Sequence, residues 1–401
     1  MEKEKIWTKS FIVIVFANMF NNVGVQMLMP TIPLYLVALG ATESQVGLVA
    51  TSFFVSSILT RFFISVLLQR IGKKLTLFSG VLLTAVVIAL YGLTHSVGAA
   101  AAMRIAQGLG FGTTTTIFTA LAADHLPDSR RGEGIGYFSM GVVFAMTVAP
   151  AIGLFMRDNY GFHPMFFVAA AFSFISAVGV RFFMKPSPVN TTAPENVEKE
   201  ENEAETGFLS KLYDPKLTLP ALLLILLGLC RSADMNFVAL FAEARNLEHL
   251  ALYFAIQTTT SFGIRFFTGQ VSDRRGRNWV LIPGGCAVLA SLTLLSFAKT
   301  TGLFLLSSFF NGLGVGVLVP GMQVWMFSRV GSEKRNVASA TYFNFYDVGV
   351  SIGAILLGYL AEYVGYTAMY RTAACSAVLY LIFYVLVGRE RRGRAERARE
   401  L

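Results

Sequence analysis

Charge is what this sequence has least of. Only 14% of its 401 residues are Asp, Glu, Lys or Arg, against 54% that are apolar, and the mean hydropathy is +0.59. A soluble domain carries about a quarter charged residues, so an ordinary water-facing surface is excluded and most of the surface must face lipid. Cysteine is scarce as well. Cys230, Cys286 and Cys375 each sit in an apolar run with no pairing or zinc-type spacing, which excludes a disulfide framework and leaves them as small core residues. The four histidines, His95, His125, His163 and His249, stand singly and far apart, without the clustering a metal or catalytic centre needs. Gly108-x-Gly110 opens like a nucleotide fingerprint, but no strand precedes it, so no cofactor is expected. A cleavable leader is not expected either, because the first apolar run is too long and no small-residue cleavage site follows it.

What the sequence has in quantity is long apolar runs. A helix crossing a bilayer needs about 20 predominantly apolar residues, and twelve segments qualify. In order they are Ser10–Leu36, Ser44–Leu68, Leu75–Leu93, Val97–Ala122, Gly134–Met156, Phe162–Met184, Leu217–Ala242, His249–Val271, Trp279–Ala298, Gly302–Phe327, Val337–Ala361 and Thr367–Val387. One connection is long. Pro186–Lys216 holds Pro186, Pro188 and Pro194 and a run of glutamates from Glu195 to Glu205, a composition that cannot bury a core. The expected organisation is a six-helix half over 1–184, a linker over 185–216, a second half over 217–388 and a basic tail over 389–401.

Lys and Arg set the expected orientation, since they concentrate on the cytoplasmic side. With both termini inside, cytoplasmic segments collect Lys3, Lys5, Lys9, Arg70, Lys73, Lys74, Arg130, Arg131, Arg274, Arg275, Arg277, Arg329, Lys334, Arg335 and the arginines after Gly388. The opposite loops offer Arg157, Arg245 and Lys299. The basic tail reads as a topological and lipid-facing feature, with no nucleic acid as partner. Taken together these features predict a multi-pass protein of a bacterial-type cell membrane, acting as a monomer.

The two halves repeat. An offset of 204 residues, as between Arg61 and Arg265, carries Arg61-Phe62-Phe63 onto Arg265-Phe266-Phe267 and Gly108, Gly110 and Gly112 onto Gly312, Gly314 and Gly316. It also carries Arg70-Ile71-Gly72-Lys73 onto Arg274-Arg275-Gly276-Arg277, and Arg131 onto Arg335. Halves related by a parallel repeat build one class of secondary transporter. Glycines four apart on a helix allow close helix contact.

Gly269-Gln270-Val271-Ser272-Asp273-Arg274-Arg275-Gly276-Arg277 resembles the loop motif of the major facilitator superfamily. The first-half copy departs from it, with Ser65 for the Gly and Gln69 for the Asp. Arg104-Ile105-Ala106-Gln107-Gly108 is similar to the proton-antiporter motif of helix 4. Gly136, Ala145, Ala149-Pro150 and Gly153-Leu154 follow the family's helix 5 antiporter motif, with two glycines replaced by Ala and the last by Leu. Pro30-Thr31-Ile32-Pro33 also fits. The resemblance implies an all-α membrane protein of twelve transmembrane helices in two pseudo-symmetric halves, close to the drug/metabolite:proton antiporter branch (arabinose-efflux-like). In that frame Asp273 would latch against the positive start of segment 5, while Gln69 offers segment 11 no charge. Arg70 is expected to pair with Asp124; the plainer reading of Arg70 and Arg274 is topology signalling alone.

Ionisable groups inside membrane helices are costly, roughly 2.5–3.5 kcal/mol each on insertion scales, and are candidate functional groups for that reason. They are Arg61, Arg104, Arg231, Asp234, Arg265 and Asp347. Arg61 precedes Arg70 by nine residues, about 13 Å into the membrane. Arg231 and Asp234 share a helix face at three-residue spacing, either as substrate groups or as a packing salt bridge. Asp347, with Tyr342, Asn344 and Tyr346, reads as cavity lining. Asn18, Asn22 and Gln26 form a polar stripe on segment 1, facing a cavity or hydrogen-bonding between helices. A carboxylate in a low-dielectric cavity favours proton uptake, so Asp347 or Asp234 should carry a coupling proton. Asp234 is the weaker candidate because Arg231 stabilises its charge.

Three functions compete. A proton-coupled exporter of small organic molecules is favoured by Arg104 and Pro150. A proton-coupled importer of an organic acid or sugar fits the missing helix 5 glycines. An embedded enzyme or receptor would need a catalytic cluster or an extramembrane domain, and the sequence shows neither. Four buried arginines against two aspartates suggest an anionic substrate, with neutral amphipathic drugs still open.

Overall fold

The computed structural model describes residues 6–127, 130–184, 214–330 and 335–388. Among these residues all regular structure is helical. The first six helices are α1 (Lys9–Ala38), α2 (Glu43–Ile64), α3 (Arg70–Tyr91), α4 (Val97–Asp124), α5 (Arg131–Tyr160) and α6 (Phe162–Phe183). The second six are α7 (Thr218–Ala244), α8 (Leu250–Arg275), α9 (Asn278–Phe297), α10 (Thr301–Ser328), α11 (Arg335–Val364) and α12 (Tyr366–Leu386). The chain forms two compact units, Met1–Thr206 with Met235–Ala255, and Gly207–Asp234 with Ile256–Leu401. The division runs through α7.

Local chemistry sets the helix ends. The Thr8 hydroxyl accepts from the Phe11 N–H at the start of α1, and Thr42 with Gln45 forms a capping box at α2. Between α2 and α3 the helical trace does not open into a loop. It kinks in the first turn of α3, at Gly72 with φ 76°, a backbone region that a side chain resists.

The 204-residue offset recurs in the three-dimensional structure. Gly276, the repeat mate of Gly72, has φ 85°, and Gly161 and Gly365, again mates, have φ 86° and 90°. Ser96 caps α4 through the Ala99 N–H, and its mate Thr300 caps α10 through Leu303. Packing partners repeat too. A Cβ placed on Gly108 would lie 2.3 Å from the carbonyl oxygen of Phe53, and one on Gly312 would lie 2.3 Å from that of Gln257. Gly110 packs on Gly80 and Thr84 of α3, and Gly314 packs on Gly284 and Val288 of α9. The glycines thus bring α4 onto α2 and α3, and α10 onto α8 and α9, at backbone contact.

By length and apolarity ten of the described helices qualify as membrane spans. The two that fall short are α4 and α8, with 28 and 26 residues. They are long enough to cross but carry Arg104, Gln107 and five threonines, or Gln257, four threonines and Arg265. The polar residues that weaken them as spans are turned to internal use. Apolar side chains face outward instead: Phe62 and Phe63 on α2 and their mates Phe266 and Phe267 on α8 are all exposed, as lipid contact requires.

One expected contact is replaced. Asp124, at the end of α4, is paired with Lys73 at 2.7 Å, while Arg70 is exposed. The turn at Gly72 separates the two cations. Arg70 precedes that turn and Lys73 follows it. The Asp273 latch and its Gln69 counterpart, with Gly269, rest on side chains outside the described residues.

Candidate functional site

In the second unit, polar side chains from three helices join into one chain. Arg231 and Asp234, three residues apart on α7, form an ion pair through an Arg231 Nη1 hydrogen bond to Asp234 Oδ2. The Gln257 carboxamide of α8 donates to Asp234 Oδ2 at 2.6 Å and to Asn311 Oδ1 of α10 at 2.7 Å. Gln257 can serve both because its amide nitrogen has two hydrogens. The Asp234 side chain is 1% exposed and that of Arg231 24% exposed. The carboxylate is thus shut inside the bundle while its guanidinium reaches open space.

That space is a narrow cavity with an open mouth. Arg231, Asn311, Tyr342 and Tyr346 supply its polar lining, and the remainder includes Leu224, Leu227, Val288, Val315, Leu318 and Val319. Tyr342 and Tyr346 stand one helical turn apart on α11 with rings stacked 6.2 Å centre to centre and 5° from parallel. The Tyr342 hydroxyl donates to the Val319 carbonyl at 3.2 Å. Charge surrounds this pair: Arg265 lies within electrostatic reach of Tyr342, and Arg231, Asp234 and Asp347 within reach of Tyr346. Asp347 is itself buried, and Asn344 is half-buried on the same helix.

The first unit holds a different arrangement. Arg104 of α4 is 2% exposed; its Nη1 donates to Gln107 Oε1 at 2.8 Å, and its guanidinium lies 4.3 Å from the centre of the Phe53 ring. The Tyr91 hydroxyl donates to the same Gln107 oxygen at 3.3 Å. Among the described residues no carboxylate pairs with Arg104, and its Nε has no hydrogen-bond partner. The polar stripe of α1 is satisfied partly within itself: the Asn22 amide donates to the Asn18 carbonyl and side-chain oxygens at 2.9 and 3.0 Å. Asn18 and Asn22 are buried, Gln26 half-buried and Arg61 half-buried on α2.

The structure therefore joins Arg231 with Asp234 and Arg104 with Gln107, and places Asp347 and Arg265 around the tyrosines. Sequence reasoning missed Gln257, Asn311, Phe53 and Tyr91. A signal for one existed: Asn311 is the repeat mate of Gln107 and, like it, precedes the first glycine of a Gly-x-Gly-x-Gly run. At the loop ends of α8 and α10, Arg277 lies 4.8 Å and Arg329 5.5 Å from the centre of the Trp325 ring. Arg274 is exposed, Gly276 makes the turn into α9, and Pro150 lies inside α5.

Comparison with known proteins agrees with this architecture. The family model described as Major Facilitator Superfamily matches residues 14–290 and 251–401. Quinolone resistance protein NorA of Staphylococcus aureus (strain MSSA476) is 24% identical over 362 residues, covering 88% of this chain and 90% of that protein. Multidrug resistance protein MdtG of Salmonella arizonae is 23% identical over 390 residues, covering 94% of this chain and 95% of its own length. Among solved structures, the nucleoside transporter NupG aligns with a TM-score of 0.75 at 12% identity, over 96% of this chain and 100% of that one. A POT family transporter with a bound thioalcohol-conjugated peptide aligns with a TM-score of 0.76 at 13% identity, over 94% and 96%.

Proposed function

The chain belongs to the major facilitator superfamily and is a multi-pass membrane transporter, and on that premise we propose that it exports a small amphipathic organic molecule in exchange for protons across the cell membrane. The names of its relatives, resistance to quinolones and to multiple drugs, support the export direction. The observation that carries the coupling is the burial of Asp234 beside a largely apolar cavity, held by Arg231 and Gln257.

A buried carboxylate has two tolerable states: charged with its guanidinium in place, or neutral with a proton. Any movement that draws Arg231 away from Asp234 therefore favours proton uptake, and any movement that restores the pair favours release. This makes Asp234 the preferred proton carrier over Asp347. Arg231, which opposes protonation while paired, becomes the switch that permits it. Arg104 would supply a fixed positive charge in the other unit, and the apolar wall with the stacked tyrosines suits a flat, hydrophobic substrate.

The test is ethidium movement in proteoliposomes under an imposed pH gradient. Gradient-driven transport should be lost in Asp234→Asn and retained in Asp347→Asn, while Asp234→Asn keeps counterflow that needs no proton. Undiminished gradient-driven transport by Asp234→Asn would refute the assignment. The basic loops support cytoplasmic termini and linker. Cysteine labelling of Ser187→Cys from the inside and Asn159→Cys from the outside checks this, and labelling of both from outside would overturn it.

A further inference from the structure

Arg231 belongs to the cavity and Asp234 does not. A ligand in the cavity therefore meets the guanidinium and never the carboxylate directly. We propose that the second-unit cavity binds hydrophobic carboxylic acids in their anionic form, with Arg231 taking the carboxylate, and that each anion enters together with a proton on Asp234. The proposal builds on the reading of Asp234 as a titrating group and adds a ligand class with its own sign of coupling.

The argument starts from charge. With Asp234 ionised, Arg231 is already neutralised, so a second carboxylate on the same guanidinium leaves a net negative charge in a low-dielectric site. Like charges so placed oppose each other's ionisation. If the ligand draws Arg231 toward itself, the buried Asp234 carboxylate loses its neutralising cation, which is the costlier outcome. Both problems vanish when one proton from solution forms an O–H bond on the Asp234 carboxylate. The protonated group can still accept from Gln257, so α8 and α10 keep their connection to it. Other charged or titratable groups facing Asp234 are Arg231 on its own helix, Tyr346 on α11 with Asp347 beyond it, and Tyr370 on α12. Neither tyrosine ionises near neutral pH, so Asp234 and Asp347 are the candidates for the proton.

The rest of the lining suits the organic part of such an acid. The Leu and Val side chains give an apolar wall, and the parallel tyrosines give an aromatic edge. The Asn311 amide stands beside Arg231 as a second polar contact. Proton and anion then bind cooperatively. Exchange against protons needs the opposite, competition between proton and substrate. Hydrophobic acids are thus distinct from the neutral or cationic molecules that this transporter would expel.

The sign is fixed by linkage. If anion binding increases proton binding at Asp234, lowering the pH must tighten the anion to the same degree. One linked proton gives up to about tenfold in affinity per pH unit across the titration range. The experiment uses the full-length protein in zwitterionic lipid nanodiscs, with 1-naphthoate as probe and uncharged 1-naphthamide as control. Affinity is measured between about pH 5.5 and 8, where the probe acid remains ionised, and proton uptake is read with an indicator dye in weak buffer. Empty nanodiscs correct for partitioning.

Naphthoate should bind more tightly as pH falls, with uptake of up to one proton per ligand, and naphthamide should show neither effect. In Asp234→Asn naphthoate should bind with pH-independent affinity and without proton uptake. In Arg231→Met its affinity should fall to that of the amide, and naphthamide binding in each variant reports that the cavity is intact. Proton release on naphthoate binding, pH-independent binding by the unmodified protein, or uptake that persists in Asp234→Asn would overturn the proposal. Because this is equilibrium binding, it can succeed when gradient-driven export fails, and the reverse.

Discussion

The two halves share a backbone and differ in their buried charge. Glycine positions, helix caps and left-handed turns recur at the same offset in both. Yet among the described residues the first half buries a cation that no carboxylate pairs with, and the second buries a carboxylate braced by a cation and a carboxamide. The repeat is thus a scaffold rule and the chemistry is written on it separately in each half. Arg104 has one charge state and can only hold a field. Asp234 has two, so the proposed proton coupling falls to the second half.

The largest expected effect comes from removing the two arginines in turn. Arg231→Met leaves Asp234 buried without its cation, a change that costs about 3–5 kcal/mol where such pairs are broken. A proton on Asp234 removes the unpaired charge, so the loss should be greatest at high pH and shrink as the pH falls. Arg104→Met strands no opposite charge. It gives up packing on Phe53 and a hydrogen bond to Gln107, and its stability change should be smaller and independent of pH. Thermal unfolding of both variants in detergent across a pH series would settle this, and matching pH profiles would erase the contrast between the halves.

A second comparison should show no contrast at all. Gly108→Ala and Gly312→Ala each drive a methyl group into a backbone carbonyl 2.3 Å away on the neighbouring helix. Overpacking of this kind costs typically 1–3 kcal/mol, and backbone cannot rotate aside as a side chain can. Both variants should lose stability to a similar degree, and so should their transport. A large difference between them would mean that α4 and α10 are held by unlike means despite their matching glycines.

These particulars show what could be read in advance. The glycines were legible because a small residue at fixed spacing has one common use in membrane helices, close approach. Arg104, Arg231 and Asp234 were legible because charge is so costly there. Gln257 and Asn311 were not, since a single carboxamide in a run of Thr or Gly is cheap enough to have many explanations. What gives them a role is the meeting of α7, α8 and α10, a relation between distant segments. The Arg70–Asp124 pairing failed for a related reason. Sequence distance made Arg70 and Lys73 equivalent, and only the turn at Gly72 separates them.

The smallest effect concerns that same corner. Asp124 ends α4, where the helix dipole disfavours a negative charge, and Lys73 offsets this at 2.7 Å with both groups partly exposed. The repeat mate of Lys73 is Arg277, which lies over Trp325, with Arg329 also near that ring and Ser328 in the place of Asp124. Burial and then the charge of Arg277 lower the proton affinity of Arg329, so the second half gathers like charges where the first pairs opposite ones. Half-exposed ion pairs contribute about 0.2–1 kcal/mol and weaken with salt. A cation over an indole contributes about 0.5–1 kcal/mol, rising to about 2 when desolvated, and has no carboxylate whose charge salt can screen. A double-mutant cycle on Lys73→Ala and Asp124→Asn should therefore give a coupling of less than about 1 kcal/mol that falls toward zero in high salt. The cycle on Arg277→Ala and Trp325→Leu should hold most of its coupling under the same conditions, and Arg70→Ala should show no coupling to Asp124. If salt abolished both couplings equally, the two corners would be the same device, and the difference drawn between the halves would be confined to their interiors.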